Sequence, residues 1–133
     1  MMADTLAGMP ISRALVVHGA PGWDEVTPVG PYHLFDVTPG SVDQHVEDPA
    51  HFGIDRCSPE DLAGSDAEHN ARRIRDVFEG EISPHRDALI LGASMALRVT
   101  GSTPGVALET AAEALDDGSA ADLLDRLTRR ADA

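Results

Sequence analysis

Two carboxylates stand side by side at Asp24 and Glu25, within the stretch "RALVVHGAPGWDEVTPVG". Adjacent hard oxygen donors suit Mg2+, which prefers oxygen, keeps several waters, and is usually held by one or two carboxylates together with substrate phosphates. Just upstream, "ALVVH" at 14–18 is a short, β-branched apolar run ended by glycine. That is the pattern of a strand buried on both faces, as in a parallel sheet. In open α/β sheets ligands bind beyond the carboxyl ends of the strands, so a carboxylate pair separated from such an end by five residues is well placed to meet one. Spacing alone also has a plainer account: among 23 acidic residues, an Asp-Glu dipeptide in a glycine-rich turn is ordinarily solvated surface.

The neighbouring groups add little by themselves. His18, at the strand end, could contact a ligand or serve as a structural hydrogen bonder. Gly19 and Gly22 would let the backbone approach a ligand closely, but a turn also explains them. The six histidines, at 18, 33, 45, 51, 69 and 85, show no H-x-x-x-H or H-E-x-x-H spacing, so a zinc site is not supported. Cys57 is the only cysteine, which excludes a disulfide within the chain and a cysteine-based zinc cluster, and suits a reducing compartment. There is no G-x-S-x-G elbow, P-loop or G-x-G-x-x-G. Asn70 and Arg73, early in a capped helix, could touch a ligand or simply solvate it.

The elements that must position these residues follow from periodicity and punctuation. Residues 2–8 read as the last turns of a helix, stopped by Gly8 and Pro10. After the strand at 14–18, "YHLFDV" at 32–37 reads as a second strand, and "SVDQHV" at 41–46 can pair with it across Pro39-Gly40. Residues 47–64 read as an extended loop. Ser65 to Glu68 form an S-x-x-E capping box for a helix over 66–79, with Ala71, Ile74, Val77 and Phe78 on one face. A helix over about 85–100, containing "DALILGASMALRV", is apolar around most of its circumference and is expected to be the central buried helix. Pro104 opens a third helix that runs to Gly118, and Ser119 caps a last one with a stripe of Leu123, Leu124 and Leu127. Arg129 and Arg130 complement the C-terminus of that last helix. A few strands followed by four helices indicate part of an α/β domain that is short of sheet.

At 133 residues the chain has room for one domain. Its 10 basic residues, all Arg, against 23 acidic ones leave a formal charge of −13, which argues against nucleic acid and anionic membranes as partners. An acidic, lysine-free surface suits high salt, and a GC-rich coding sequence explains it equally well. No apolar stretch approaches the roughly 18 residues of a membrane span, and "MMADTLAGMP" lacks the pattern of a secretory signal. A cytoplasmic location is the expectation.

Taken in order, "RALVVHG" with the following x-x-G-x-DE, "DPAHFGI", "DLAGSDAEHNARRI", "FEGEISPHRD" and "GVALETAAEALDDGSAADLL" resemble one family over essentially residues 1–130. The chain looks like the C-terminal portion of an anthranilate phosphoribosyltransferase, in the fold group of the pyrimidine nucleoside phosphorylases. No single motif carries the likeness. It implies that residues 1–133 are the C-terminal part of the phosphoribosyltransferase α/β domain, without the helical N-terminal domain and the glycine-rich phosphate loop. It implies that Asp24 and Glu25 hold Mg2+ against the pyrophosphate of phosphoribosyl pyrophosphate. It further implies transfer of the phosphoribosyl group to anthranilate in tryptophan biosynthesis, the chain being incomplete alone. The catalytic residues proper are not identifiable, and His18 and Gly19 stand as candidate substrate contacts. The implied partners are the two substrates and either a complementing N-terminal chain or a second copy. A non-catalytic binding or regulatory fragment and a nucleoside phosphorylase-like relative are the alternatives. One departure is internal: an Asn-Ala pair usual in the family reads Gly92-Ala93 here, and a packing change is expected from it.

Overall fold

The computed structural model describes residues 2–131, with Ala131 described by its backbone only. Helix α1 spans Met2–Ala7, and strands β1 (Ala14–His18), β2 (Tyr32–Thr38) and β3 (Ser41–Glu47) form a single sheet in the order β1-β2-β3. Two short 3-10 turns, Pro49–Phe52 and Pro59–Leu62, fill the expected loop. Four helices follow: α2 (Ala67–Phe78), α3 (Pro84–Val99), α4 (Pro104–Asp116) and α5 (Ser119–Ala131). The fold is therefore mixed α/β, with the strands preceding the run of four helices as the periodicity indicated.

The sheet departs from the expectation for β1. This strand pairs antiparallel with β2, from Ala14 opposite Val37 to His18 opposite His33, and no described strand pairs with its other edge. Its residues are half-buried and His18 is exposed, so it is not covered on both faces. Leu15 and Val17 supply the reason, because they pack against the core of Val26, Tyr32, Leu34 and Leu91 while the opposite face borders a groove. A continuous apolar run is common to doubly buried strands and to strands with one open face, so composition did not separate them. The hairpin register is set by Pro39-Gly40, which places Thr38 opposite Ser41. Gly40 sits at φ +80°, the left-handed region glycine enters readily.

The helices show three further differences. Asp66, not Ser65, caps α2, accepting a 2.8 Å hydrogen bond from the His69 N–H; the Ser65 N–H donates instead to Asn70 Oδ1 at 2.9 Å. The closer carboxylate takes the cap because it meets the first helical amides in extended backbone. Helix α3 buries one stripe, Ile90, Leu91, Ser94 and Arg98, and leaves Leu89, Gly92 and Ala93 exposed, so it is not buried all round. Gly92 has open space where a Cβ would stand, so the expected packing change has nothing to act on. Helix α5 begins at Ser119 itself, with Asp117 accepting from the Ser119 N–H at 2.8 Å, and it half-buries Leu124 while Leu123 and Leu127 stay exposed.

Polar contacts fasten α3 to the sheet. Arg98 donates to both oxygens of Glu47 at 2.7 Å, and the Tyr32 hydroxyl donates to Glu47 Oε2 at 2.6 Å. Arg13 grips Asp36 at 2.8 and 2.5 Å and donates to the Arg98 carbonyl at 2.9 Å. Burial raises the Glu47 carboxyl, and the hydrogen bonds from Arg98 and Tyr32 overcome it, leaving the group below its ordinary value.

Candidate active-site cleft

The acidic pair is held by a turn that closes on itself. Leaving β1, the Gly19 N–H donates to the Trp23 carbonyl at 2.9 Å, and the Gly22 and Trp23 N–H groups donate back to the Gly19 carbonyl at 2.8 and 3.1 Å. Gly22 takes φ +117°, which strains any residue with a side chain. Gly19 cannot be replaced without movement, because a Cβ there would lie 2.1 Å from the Glu25 carbonyl oxygen. Immediately after the pair, Val26, Thr27 and Pro28 are buried. Asp24 and Glu25 are thus pinned between a closed turn and an anchored segment, with both side chains exposed.

They lie on one wall of a cleft of about 610 Å³. The other walls come from the 59–64 turn, from Arg73 and Ile74 of α2, and from His85 and Leu89 of α3. Arg73 reaches Glu81 at 2.8 and 3.2 Å and Asp76 at 3.3 Å, and its hydrogen bond to Glu81 raises its pKa. Burial lowers the pKa of His85, and the neighbouring Arg73 charge adds to the effect, so the neutral imidazole is favoured. His85 Nδ1 and Ser83 Oγ are buried without a hydrogen-bond partner among the described residues.

The acidic pair fits a magnesium ion. Neither carboxylate has an ion pair or hydrogen bond to a described residue, so both are available to a cation. No group of three or more His, Cys, Asp and Glu gathers among the described residues, so the protein offers two carboxylates and leaves the remaining positions open. That donor set matches a hard ion that keeps waters and binds phosphate, and it does not match a closed structural zinc site.

The other residues singled out in the sequence separate in space. Gly19 lies beneath the loop and supports Glu25 without lining the cleft, while His18 lines a groove that shares no residue with it. Of the two polar residues early in α2, Arg73 reaches the cleft, and Asn70 is spent on the Ser65 amide. His85 was not distinguished from the other histidines. Its one signal was its place in "SPHRD", next to the proline that opens α3.

Comparison with known proteins bears on this geometry. The family model described as the glycosyl transferase family, a/b domain, matches residues 1–121. The chain belongs to this glycosyl transferase family. Among its relatives, the anthranilate phosphoribosyltransferase of Desulforudis audaxviator is 40% identical over 96% of this chain and 37% of its own length. The solved anthranilate phosphoribosyltransferase of Thermus thermophilus is 33% identical, covers 86% of this chain and 34% of the solved chain, and superposes with a TM-score of 0.75. The yeast enzyme in complex with PRPP and Mg, at 23% identity and a TM-score of 0.78, covers 93% of this chain and 38% of its own and shares the fold. The chain therefore spans a little over a third of the glycosyl transferases it matches. Among the described residues no helix is long and apolar enough to cross a membrane.

Proposed function

We propose that residues 1–133 supply the magnesium-holding C-terminal part of the α/β domain of an anthranilate phosphoribosyltransferase, working in the cytoplasm. The observation that carries this reading is the unpartnered Asp24-Glu25 pair, held rigidly on the rim of a cleft in a chain of this glycosyl transferase family. The reaction proposed is that of the anthranilate phosphoribosyltransferase relatives, and the yeast complex makes PRPP and magnesium the ligands to test.

In the proposed reaction the bond between the ribosyl anomeric carbon and pyrophosphate breaks as the anthranilate nitrogen bonds to that carbon. The nitrogen then loses a proton, and pyrophosphate departs with its electron pair. Bound magnesium would supply Lewis-acid neutralisation of charge growing on the leaving group. The chain's own contribution is positional. Gly19 and the closed turn fix the Glu25 backbone, the buried 26–28 segment fixes the exit, and both residues line the cleft. Groups held in place before binding lose little entropy when the reactant arrives. The rest of the pocket, including the phosphate loop implied by the resemblance, comes from polypeptide beyond these residues, whether in one longer chain or in a complementing one.

Calorimetric titration of the chain with PRPP, with and without Mg2+, tests the reading. Binding should require Mg2+ and disappear in Asp24→Asn and Glu25→Gln. Binding indifferent to both the metal and the substitutions would overturn it. Metal-dependent binding without phosphoribosyl transfer after complementation with the N-terminal part of the Desulforudis relative would favour a non-catalytic binding role.

A further inference from the structure

His18 closes β1 and His33 lies in β2, and the antiparallel register sets them directly opposite each other although the sequence separates them by a long loop. Directly opposed residues on neighbouring strands have Cβ atoms about 4.5–5.5 Å apart. The two rings lie 28° from parallel with centroids 6.4 Å apart, and both side chains are exposed. They line a groove with Val16, Phe35 and Gln44, bordered by Met2 of α1. Nothing in the proposed phosphoribosyl transfer uses this pair.

We infer that His18 and His33 form a cross-strand chelate for a divalent transition ion of the zinc or nickel class. Imidazole suits Zn2+, Ni2+ and Cu2+, whereas Mg2+ selects oxygen, so Mg2+ does not fill this site. With a metal–nitrogen bond of about 2.0–2.1 Å, each ring centroid lies roughly 3.2 Å from the ion, and two rings on a tetrahedral ion have centroids roughly 5.2 Å apart. The observed 6.4 Å lies a little beyond that value, between two exposed side chains on adjacent strands. Gln44 provides the outer contact, its amide lying 3.4 Å from His33 Nδ1. With the amide oxygen turned to that nitrogen, it accepts the Nδ1 hydrogen and leaves the Nε2 lone pair free for the ion. No third His, Cys, Asp or Glu joins the pair among the described residues, so water completes the coordination. The formal charge of −13 raises the local concentration of any cation. An ion here ties β1 to β2 at the point where the acidic loop departs.

Titration of the metal-free chain with ZnCl2 and with NiCl2, followed by calorimetry, should show a saturable site that Mg2+ does not displace. That site should be lost in His18→Gln and in His33→Gln, weakened about tenfold in Gln44→Ala, and kept in His45→Gln and Asp24→Asn. Substoichiometric Ni2+ should broaden the His18 and His33 ring resonances first in the NMR spectrum of the unsubstituted chain, a readout that needs no variant to fold. Absence of a saturable site, its survival in either histidine variant, or first broadening at another histidine would overturn the inference. Loss of PRPP binding in Asp24→Asn with the nickel site intact would separate this site from the acidic cleft.

Discussion

Glu47 and Asp36 are each gripped by an arginine through two hydrogen bonds, whereas Asp24 and Glu25, a short way along the same chain, pair with no described residue. The first two lie in the sheet, half-buried, where an unpaired charge would be costly, and their arginines join the sheet to the end of α3. The second two lie on a closed turn at the rim of a cleft, exposed to solvent. With the same functional group in both places, burial and partners separate a structural role from the binding role proposed for the exposed pair. A carboxylate already held by a guanidinium has little affinity left for a metal.

The sharpest test of this contrast is at Arg98. Arg98→Ala leaves Glu47 and the Tyr32 hydroxyl facing an emptied space, and urea unfolding should show a loss of about 3 kcal/mol. Arg98→Met combined with Glu47→Leu should recover most of it, because no charge is then stranded. The same pair governs acid stability. Since the folded Glu47 carboxyl lies below its ordinary value of 4.5, its contribution is present above that pH and is lost as pH falls through the lowered folded value. Arg98→Ala should therefore flatten the stability profile on the acid side of about pH 4.5.

Gly19→Ala comes next. A methyl group 2.1 Å from the Glu25 carbonyl forces the turn open, and thermal unfolding should register about 2 kcal/mol of destabilisation. Chemical-shift changes should concentrate in residues 19–26. In the opposite direction, Gly92→Ala places a methyl in open space on the exposed side of α3, and it should stabilise the chain by about 1 kcal/mol in the same assay. The smallest effect is expected at the acidic pair itself. Asp24→Asn and Glu25→Gln should each change stability by no more than about 0.5 kcal/mol, since nothing in the fold depends on them. A large loss in either would show that the pair is structural and erase the contrast with Glu47 and Asp36.

Much of this molecule was legible in its residues. The order of strands and helices, the turn at Pro39-Gly40, and the start of α4 at Pro104 follow from local rules, because prolines, glycines and apolar periods act over a few residues. The family likeness lay in the sequence too, and it turned an ordinary acidic dipeptide into a metal site worth testing. What sequence could not carry was pairing across distance. Whether β1 meets its partner antiparallel, whether α3 is buried on one stripe or all round, and which of six histidines share a space depend on contacts between residues far apart in the chain. Arg73 and His85 reached the acidic cleft, Asn70 did not, and His18 met His33, because strand register and helix packing placed them. Local composition constrains the elements of this chain; its sites are decided by which faces those elements turn toward one another.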